Sequence, residues 1–273
     1  MKYKYIYGPV PSWRLGSSLG VDPVYTGRGK ICSFDCNYCQ VGKTTLLTDE
    51  RKIYVPAEEI IKEIKSLPAV EIDYITLSGA GEPTLAANLG EIINEIKKIR
   101  DKIKGSSEHL NKKYGPQKNK IAILTNSSLI DRKDLQDEAA LADFVIAKLD
   151  AHSEKLFAEI NKPAEGVKFD NVVRGLKEFR ARYKGKMALQ IMFMEQNKNY
   201  AEEIARLARQ INPDEIQINT PLRPCGVKPV SKAEIERIKP FFKGMNYISV
   251  YDAVKKTVKP VSKKDTLKRR GKI

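Results

Sequence analysis

The sequence is poor in residues that form disulfides or bind metals: its 273 residues include only four cysteines and two histidines. Four cysteines are too few for a disulfide-stabilised scaffold of this length. No run of eighteen apolar residues occurs, although a membrane-spanning helix needs one, and the first residues lack the apolar core of a signal peptide. We therefore expect a cytoplasmic chain without membrane contact, in a compartment that keeps thiols reduced.

Acidic residues are also scarce relative to basic ones. The chain has 49 Lys and Arg against 34 Asp and Glu, a net charge of +15. The imbalance is strongest in residues 255–273, where Asp265 is the single acid. Such a surface suits phosphate backbones and also acidic protein partners. A solvated surface, or the ion pairing found in thermophilic proteins, explains the same composition, so charge alone does not name a substrate.

Short β-rich segments alternate with amphipathic helical segments. Strands are predicted at 18–24, 73–79, 120–126, 143–150, 187–194 and 214–220, and helices at 57–67, 89–103, 132–142, 169–183, 199–211 and 231–242. This alternation is typical of a parallel sheet with helical crossovers. Six units are too few for a closed eight-stranded barrel, so we predict an α/β fold, a partial (β/α)6 TIM-like barrel; a doubly wound sheet is the alternative. In both, ligands collect at the carboxyl ends of the strands.

Two segments fall outside the alternation. Residues 105–119 are polar and contain Gly and Pro, which predicts an exposed loop. Residues 254–273 are too charged to pack alone, so we expect one partial-barrel domain over residues 1–253, followed by a short basic C-terminal tail over residues 254–273.

Three of the four cysteines lie within eight residues, as Cys32-x3-Cys36-x2-Cys39, whereas Cys225 is distant. Structural zinc requires four protein ligands, and no histidine lies near this loop. A redox Cys-x-x-Cys motif uses only Cys36 and Cys39. A 4Fe–4S cluster normally takes four thiolates, and three suffice if the fourth iron is left open to an external ligand. The open cluster is favoured; zinc and thiol redox chemistry remain alternatives.

The cysteine spacing, with Tyr38 directly before the last cysteine, resembles the signature of the radical S-adenosylmethionine (SAM) superfamily. This resemblance implies an enzyme with one 4Fe–4S cluster held by Cys32, Cys36 and Cys39. It also implies that the methionine amino and carboxylate groups of SAM chelate the open iron. Reductive cleavage of SAM would then give a 5′-deoxyadenosyl radical, which abstracts hydrogen from the substrate.

Other segments resemble the cofactor-binding motifs of that family. The segment SGAGEPTL, residues 78–85, resembles its Gly-Gly-Glu-Pro motif, with Ala80 in place of the first glycine. Its Glu82 is expected to meet an ammonium group, and Asp150 to contact ribose, with Lys148 on the same side of its strand. The full set of cofactor-binding residues that the resemblance implies is Tyr38, Gly79, Gly81, Glu82, Pro83, Thr84, Asn126, Asp150, Gln190 and Asn219.

Longer segments, among them YGPVPSWRLGSSLGVDP and QINTPLRP, resemble the wyosine-base synthases, and in particular the 4-demethylwyosine synthase branch. That resemblance implies a tRNA or other RNA substrate. Those synthases carry additional cysteines before the radical motif, which bind a second cluster. No cysteine precedes Cys32 here, so we expect a single-cluster relative rather than that enzyme.

Two other functions compete with RNA modification. One is radical modification of a protein side chain or a small metabolite, as in activases and maturases; the other is a non-catalytic iron–sulfur electron carrier. Reductive cleavage of SAM implies a low-potential electron donor such as flavodoxin or ferredoxin. Cys225, just after the sixth predicted strand, is a candidate catalytic thiol that donates hydrogen or captures a substrate radical; an incidental residue in a Pro/Gly loop is the alternative.

Overall fold

A curled sheet of eight strands forms the centre of the fold in the computed structural model, which describes residues 2–105, 119–254 and 256–270. Its strands are β1 (Ile6–Ser12), β2 (Gly16–Val21), β5 (Tyr74–Leu77), β6 (Lys120–Thr125), β7 (Phe144–Lys148), β8 (Lys186–Met192), β9 (Glu215–Asn219) and β10 (Tyr247–Ser249). Two short strands, β3 (Ile31–Cys32) and β4 (Leu46–Leu47), pair separately in parallel.

The strand order is β1-β2-β5-β6-β7-β8-β9-β10, and every neighbouring pair is parallel except β1 and β2. The predicted partial TIM-like barrel is therefore confirmed, and its six predicted strands correspond to β2 and β5–β9. The edge strands β1 and β10 were not predicted. Strand β1 contains Pro9 and Pro11, and proline is disfavoured in central strands, so the sequence pattern did not indicate a strand there. Strand β10 is only three residues long.

Helices cover the outer face of the sheet. They are α1 (Ala57–Lys65), α2 (Leu89–Gly105), α3 (Lys133–Ala139), α4 (Glu154–Asn161), α5 (Phe169–Arg182), α6 (Ala201–Ile211), α7 (Lys232–Ile238) and α8 (Lys263–Arg270). The sequence did not predict α4 or α8. Helix α4 starts at Ser153, whose side chain accepts a hydrogen bond from Leu156 N, and ends at Lys162 in the left-handed conformation, with φ of 46°.

The two faces of the sheet bury different side chains. In β6, Ile121 and Ile123 point outward into a large aliphatic layer beneath the helices. Ala122, between them, points inward and belongs to a much smaller apolar cluster that also contains Phe144 and Ala188. Because successive side chains of a strand alternate between faces, small inward residues leave space inside the half-barrel.

The tail helix α8 lies against β1 and is held by polar contacts. Asp265, which is 1% exposed, accepts hydrogen bonds at Oδ2 from the backbone nitrogens of Lys2 (3.0 Å) and Tyr3 (3.1 Å). Thr266 Oγ1 accepts one from Gly8 N at 3.0 Å. The division into residues 1–253 and 254–273 stays a prediction, but the helix within the tail is part of the packed structure.

The described residues contain no helix that is both long and apolar enough to cross a membrane. Most of the predicted loop at 105–119, namely residues 106–118, lies outside the described residues.

We predict that Asp265→Ala selectively loosens the contact between α8 and the N-terminal segment. Charged acceptors of backbone hydrogen bonds are worth about 1.5–3 kcal/mol, so the free energy of unfolding should fall by about 2 kcal/mol. Hydrogen–deuterium exchange should become faster in residues 2–8 and 263–270 and stay unchanged in β6–β8. The exposed neighbour Lys264→Ala is the matched control; equal exchange in both variants would contradict the assignment.

The same contact should weaken in acid. Burial raises the pKa of Asp265, but hydrogen bonds from Tyr3 N and Ser262 outweigh burial and hold the pKa below 3.8. A carboxylate with a depressed pKa stabilises the fold above its unfolded pKa and loses that contribution as the pH falls through its folded value. The stability difference between wild type and Asp265→Ala should therefore shrink below about pH 3.8 in urea unfolding, a value at which the free carboxyl is half protonated.

Candidate active site

A cavity of about 360 Å³ lies inside the half-barrel, bordered by the carboxyl ends of the parallel strands. The predicted site residues that line it are Cys32, Cys36, Tyr38, Cys39, Gly79, Gly81, Glu82, Asn126, Gln190 and Asn219. Segments that are distant in sequence thus meet at the strand ends, as expected for this fold.

The loop that carries the three cysteines is anchored to the end of α4. Asp35 N donates to the carbonyl oxygens of Asn161 (3.1 Å) and Lys162 (3.0 Å), and Asn37 N donates to Ile160 O at 3.0 Å. The left-handed turn at Lys162 ends α4 and leaves carbonyl groups without helical partners. The cysteine loop supplies those partners, so α4 fixes the position of the loop.

Each cysteine sulfur receives a hydrogen bond from a different polar side chain. Lys30 Nζ donates to Cys39 Sγ at 3.1 Å. The side-chain nitrogens of Asn126 and Asn161 lie 3.6 Å from the sulfurs of Cys32 and Cys36, respectively. Donors of this kind favour the thiolate over the thiol, so three separate parts of the chain support anionic sulfur.

The free thiols of Cys32 and Cys36 are nevertheless hard to ionise. Burial raises the pKa of Cys32 to about 12 and that of Cys36 to about 11. Burial alone would lower the pKa of Lys30, but the neighbouring Cys32 and Cys39 charges raise it overall. Metal ligation deprotonates thiols outright. This donor set therefore suits an iron–sulfur cluster better than free redox thiols.

The described residues contain no group of three His, Cys, Asp or Glu side chains arranged around a single metal ion. A 4Fe–4S cluster does not need such convergence, because each thiolate binds a different iron atom. The three cysteines and their donors fit that kind of group.

Glu82 is a buried carboxylate, 2% exposed, that accepts four hydrogen bonds. Oε1 accepts from Thr84 N (3.1 Å), Thr84 Oγ1 (2.7 Å) and Thr125 Oγ1 (2.7 Å). Oε2 accepts from Asn126 N at 2.7 Å. Burial raises the pKa of Glu82, while these donors oppose the rise. The four hydrogen bonds hold the carboxylate rigidly. Because Oε2 accepts only one of them and lies beside the cavity, it can still interact with a cation.

Position 81 requires glycine because the backbone of Ile31 comes very close to it. A Cβ at this position would lie 1.8 Å from the carbonyl oxygen of Ile31, which also accepts a hydrogen bond from Glu82 N at 3.1 Å. Similarly, a Cβ at Gly79 would lie 2.1 Å from Asp22 Cγ. Ala80, where the family motif has glycine, is half-buried, and its backbone nitrogen donates to Asp22 Oδ2 at 2.8 Å.

Tyr38 forms one wall of the cavity and is fixed by a buried polar network. Its hydroxyl donates to Asp150 Oδ2 at 2.5 Å, and Asn161 Nδ2 donates to the same carboxylate oxygen at 3.1 Å. Asp150 Oδ1 accepts from Met192 N at 2.8 Å and lies 3.1 Å from Lys148 Nζ. The Asp150 carboxylate is thus engaged by the protein behind Tyr38, and the ribose contact implied by the resemblance stays a prediction.

Asn126 joins the end of β6 to the cysteine loop. Its side-chain nitrogen donates to Ser33 Oγ at 2.9 Å, in addition to its contact with Cys32, and its Oδ1 accepts from Ser128 N at 2.9 Å. The next residue, Ser127, adopts a left-handed conformation with φ of 72°. Asn126 therefore borders the predicted cofactor position while holding Cys32 in place.

The remaining cofactor-binding predictions have mixed placements. Gln190 borders the cavity and donates to Gln217 Oε1 at 3.3 Å. Asn219, at the end of β9, also borders it. Pro83 and Thr84 are buried in a short 3₁₀ helix, where Thr84 supports Glu82. Their cofactor contacts stay predictions.

Cys225 lies away from the main cavity. It lines a separate outer cleft, behind the cluster loop, together with Cys36, Cys39 and Lys43. Its Sγ donates to Val227 O at 3.2 Å. The catalytic role predicted for Cys225 stays a prediction; the residue lines the outer cleft and does not line the main cavity.

Sequence reasoning missed Lys30, Asn161 and Arg269 as site residues. Asn161 belongs to the wyosine-synthase-like segment FAEINKP, so a signal existed. Lys30 and Arg269 are two of 49 basic residues, and only the folded chain shows that both are buried and border the cavity.

The arrangement of three thiols, a buried acidic residue and strand-end polar groups in a half-barrel defines a known class. The family model of the radical SAM superfamily matches residues 28–208, about two thirds of the chain, and the chain belongs to this superfamily. It is accordingly a radical SAM enzyme, and proteins of the family use a 4Fe–4S cluster and SAM.

Within that class, the chain belongs with the UPF0026 proteins. It is 36% identical over 220 residues to a UPF0026 protein of Synechocystis sp., covering 80% of this chain and 76% of that protein.

Solved structures share the fold at low sequence identity. TYW1 with a lysine–pyruvate adduct bound has a TM-score of 0.60 and 14% identity, with 85% of this chain and 76% of that chain covered. SuiB of Streptococcus suis bound to its precursor peptide SuiA has a TM-score of 0.57 and 15% identity, over 87% of this chain. The chain spans only 50% of that SuiB chain.

We predict that Lys30→Met lowers the reduction potential of the reconstituted cluster. Hydrogen bonds to cluster sulfurs and nearby charge set such potentials, and the variant removes both from Cys39. If the bond is worth about 1.5 kcal/mol more to the reduced state, the one-electron potential should fall by about 60 mV. EPR-monitored redox titration measures it. The exposed Lys43→Met, in the same loop, controls for loss of charge alone; equal potentials in all three proteins would contradict the contact.

Proposed function

We propose that Cys32, Cys36 and Cys39 hold a single 4Fe–4S cluster and that Glu82 receives the ammonium group of SAM. When bound and reduced, the cluster would supply the electron for cleavage of SAM; the three cysteines would hold the cluster, and Glu82 would position SAM beside it. The observation that carries the proposal is the position of three separately supported sulfurs and a rigid carboxylate on one cavity.

The chain's own residues orient the cofactor. Glu82 is held by four donors and does not need to reorganise on binding, which is an advantage for electrostatic recognition. Lys148 Nζ is buried and has no hydrogen-bond partner in the described part of the chain, although it lies 3.1 Å from Asp150 Oδ1. It lies over the Tyr38 ring, 5.0 Å from the centroid. Lys148 is therefore suited to bind the carboxylate of SAM on the cluster side of the cavity.

The substrate that the chain's features favour is RNA, in particular tRNA. The net charge of +15 favours a polyanion, and the basic tail adds exposed Lys263 and Lys264 beside the half-barrel. The wyosine-synthase-like segments and the shared fold with TYW1 support the same class.

A low-potential flavodoxin or ferredoxin is the proposed electron donor, in the cytoplasm. The outer cleft borders the cysteine loop and is lined by Cys36, Cys39, Lys43 and Lys162. Such donors are acidic proteins, and complementary charge accelerates their association. An electron would then enter from the outer cleft while the substrate occupies the cavity.

Modification of a small metabolite or a protein side chain is the second candidate. The observation that favours it is the cavity volume of about 360 Å³, which falls in the range of small-molecule sites.

We predict that Glu82→Gln abolishes detectable SAM binding. The amide lacks the negative charge that would attract an ammonium group. Its NH2 group would also face the backbone N–H of Thr84, and two N–H donors cannot hydrogen-bond to each other. Leaving such donors unpaired costs about 1–3 kcal/mol of stability, so binding should be measured well below the melting temperature. Equilibrium dialysis with reconstituted protein measures SAM affinity, and 5′-deoxyadenosine formation under strong reductant measures cleavage.

Glu91→Gln is the matched control for that experiment. It makes the same chemical change at an exposed position in the first turn of α2, so SAM affinity should match wild type. Retained affinity in Glu82→Gln would contradict the role of Glu82. A wild-type protein that binds iron but forms no 5′-deoxyadenosine would refute the radical reaction.

We predict salt-sensitive binding of tRNA by the full chain. A protein that contacts 6–10 phosphates loses about 10³–10⁵ in affinity between 50 and 200 mM salt. Neutralising Lys263 and Lys264 together (K263Q/K264Q) should reduce the slope of log affinity against log salt by about 1–2. Fluorescence anisotropy with labelled tRNA measures both.

The control for tRNA binding is Lys184→Gln. Lys184 is exposed and precedes β8, at the amino ends of the strands, away from the cavity. Equal slopes in all three proteins would remove the tail from the interface, and salt-independent or absent binding would favour the metabolite or side-chain substrate.

A further inference from the structure

The guanidinium of Arg269 is buried inside the protein and has no hydrogen-bond partner among the described residues. It is 2% exposed and borders the same cavity as the three cysteines and Glu82. Its Nε, Nη1 and Nη2 atoms are all buried, and none of them hydrogen-bonds to any residue that the structure describes. A guanidinium group carries five N–H donors and stays charged at all physiological pH values. Leaving such a group buried and unpaired is costly, so its position calls for a ligand.

Helix α8 directs Arg269 inward. Asp265, Thr266 and Arg269 are spaced at i, i+1 and i+4, and all three are buried. Asp265 and Thr266 are fixed by hydrogen bonds to backbone nitrogens of the N-terminal segment. Arg269 lies one turn further along the same face and extends past β1 to the cavity. The first turn of α8 is thus fixed to the N-terminal segment, and its last turn places the positively charged Arg269 at the cavity.

The groups around Arg269 position it without satisfying its donors. The guanidinium lies over the ring of Tyr25, a contact that stabilises a planar cation. Asp22 is the nearby acid: burial raises the pKa of Asp22, and the positive charge of Arg269 opposes this rise. The Asp22 oxygens, however, accept from the backbone nitrogens of Val24 (3.3 Å) and Ala80 (2.8 Å). The N–H groups of Arg269 stay available to the cavity.

We propose that Arg269 binds an anionic oxygen group of the substrate, a carboxylate or a phosphate, inside the cavity. This rests on the proposed function of that cavity as the place where substrate meets SAM. The planar guanidinium fork matches both anions and forms paired, charge-assisted hydrogen bonds with them.

The carboxylate of SAM has a separate candidate partner. Lys148 lies over Tyr38 of the cysteine loop, whereas Arg269 lies over Tyr25, beside Asp22. Lys148 and Arg269 are two of the basic residues that line the cavity, and because they lie at separate positions each suits a different anionic group. Arg269 thus makes the tail helix part of the substrate site, which would be incomplete without residues 263–270.

Titration calorimetry with the full chain, its cluster reconstituted and SAM saturating, tests this proposal with inorganic phosphate and with acetate as probes. We expect wild type to bind at least one of them and Arg269→Gln to bind it at least about tenfold more weakly, since a charge-assisted pair is worth 1.4 kcal/mol or more. Arg269→Lys should bind with intermediate affinity. Arg237→Gln, which removes an exposed positive charge on α7, should match wild type.

The two probes distinguish the source of the anion. Tighter binding of phosphate indicates a phosphorylated or nucleic-acid substrate, and tighter binding of acetate indicates a carboxylic acid; both support the site. Equal affinity in wild type and Arg269→Gln would overturn the proposal, as would binding of neither probe by wild type. A proportional loss of SAM affinity in Arg269→Gln would also overturn it, because the guanidinium would then serve the cofactor.

A crystal structure of wild type with the tighter-binding probe decides the matter if Arg269→Gln does not fold. Density for the anion within hydrogen-bond distance of the guanidinium supports the proposal, and an anion bound elsewhere refutes it. Anion binding is measured without turnover, and SAM cleavage by wild type is assayed separately as 5′-deoxyadenosine formation. The two assays therefore distinguish failure of this anion site from failure of the radical reaction.

Discussion

The rest of the site depends on the hydrogen bonds that the Glu82 carboxylate accepts. It collects donors from the loop after β5 and from the end of β6, and so joins two neighbouring strand ends through one buried charge. Asn126, which donates to Glu82 through its backbone, contacts Cys32 through its side chain. A single acidic residue therefore fixes both the predicted ammonium position and one cluster sulfur. A change at Glu82 would reach the cysteine loop through Asn126.

A second buried carboxylate plays the corresponding part on the other side of the cavity. Asp150 holds the Tyr38 hydroxyl, and Asn161 connects the same oxygen to Cys36. Buried networks of this kind gain strength from the low local dielectric when every member is satisfied. The two networks together position two of the three sulfurs, and Lys30 positions the third. The geometry of the loop is thus imposed from three directions.

Much of the fold and part of the site could be predicted because they depend on local patterns. The alternation of strands and helices predicted β2 and β5–β9, and the cysteine spacing and the Glu82 motif selected residues that border one cavity. Helix α4 was not predicted because residues 157–163, FAEINKP, were interpreted only as a wyosine-synthase-like motif and not as part of a helix. Arg269 was missed because its burial depends on Asp265 meeting Lys2 and Tyr3, at the far end of the sequence. No local pattern encodes a contact across such a separation.

The meeting of α8 with the N-terminal segment also bears on the order in which the protein forms during synthesis. A ribosome releases the β1–β2 hairpin first and residues 263–270 long afterwards, and domains begin to fold as they emerge. Strand β1 is therefore an uncovered sheet edge until the last helix arrives, and such edges invite unwanted pairing. The nascent chain assembles its cysteine loop and Glu82 before Arg269 can reach the cavity. If Arg269 binds substrate as proposed, the substrate site is complete only after α8 has packed against β1.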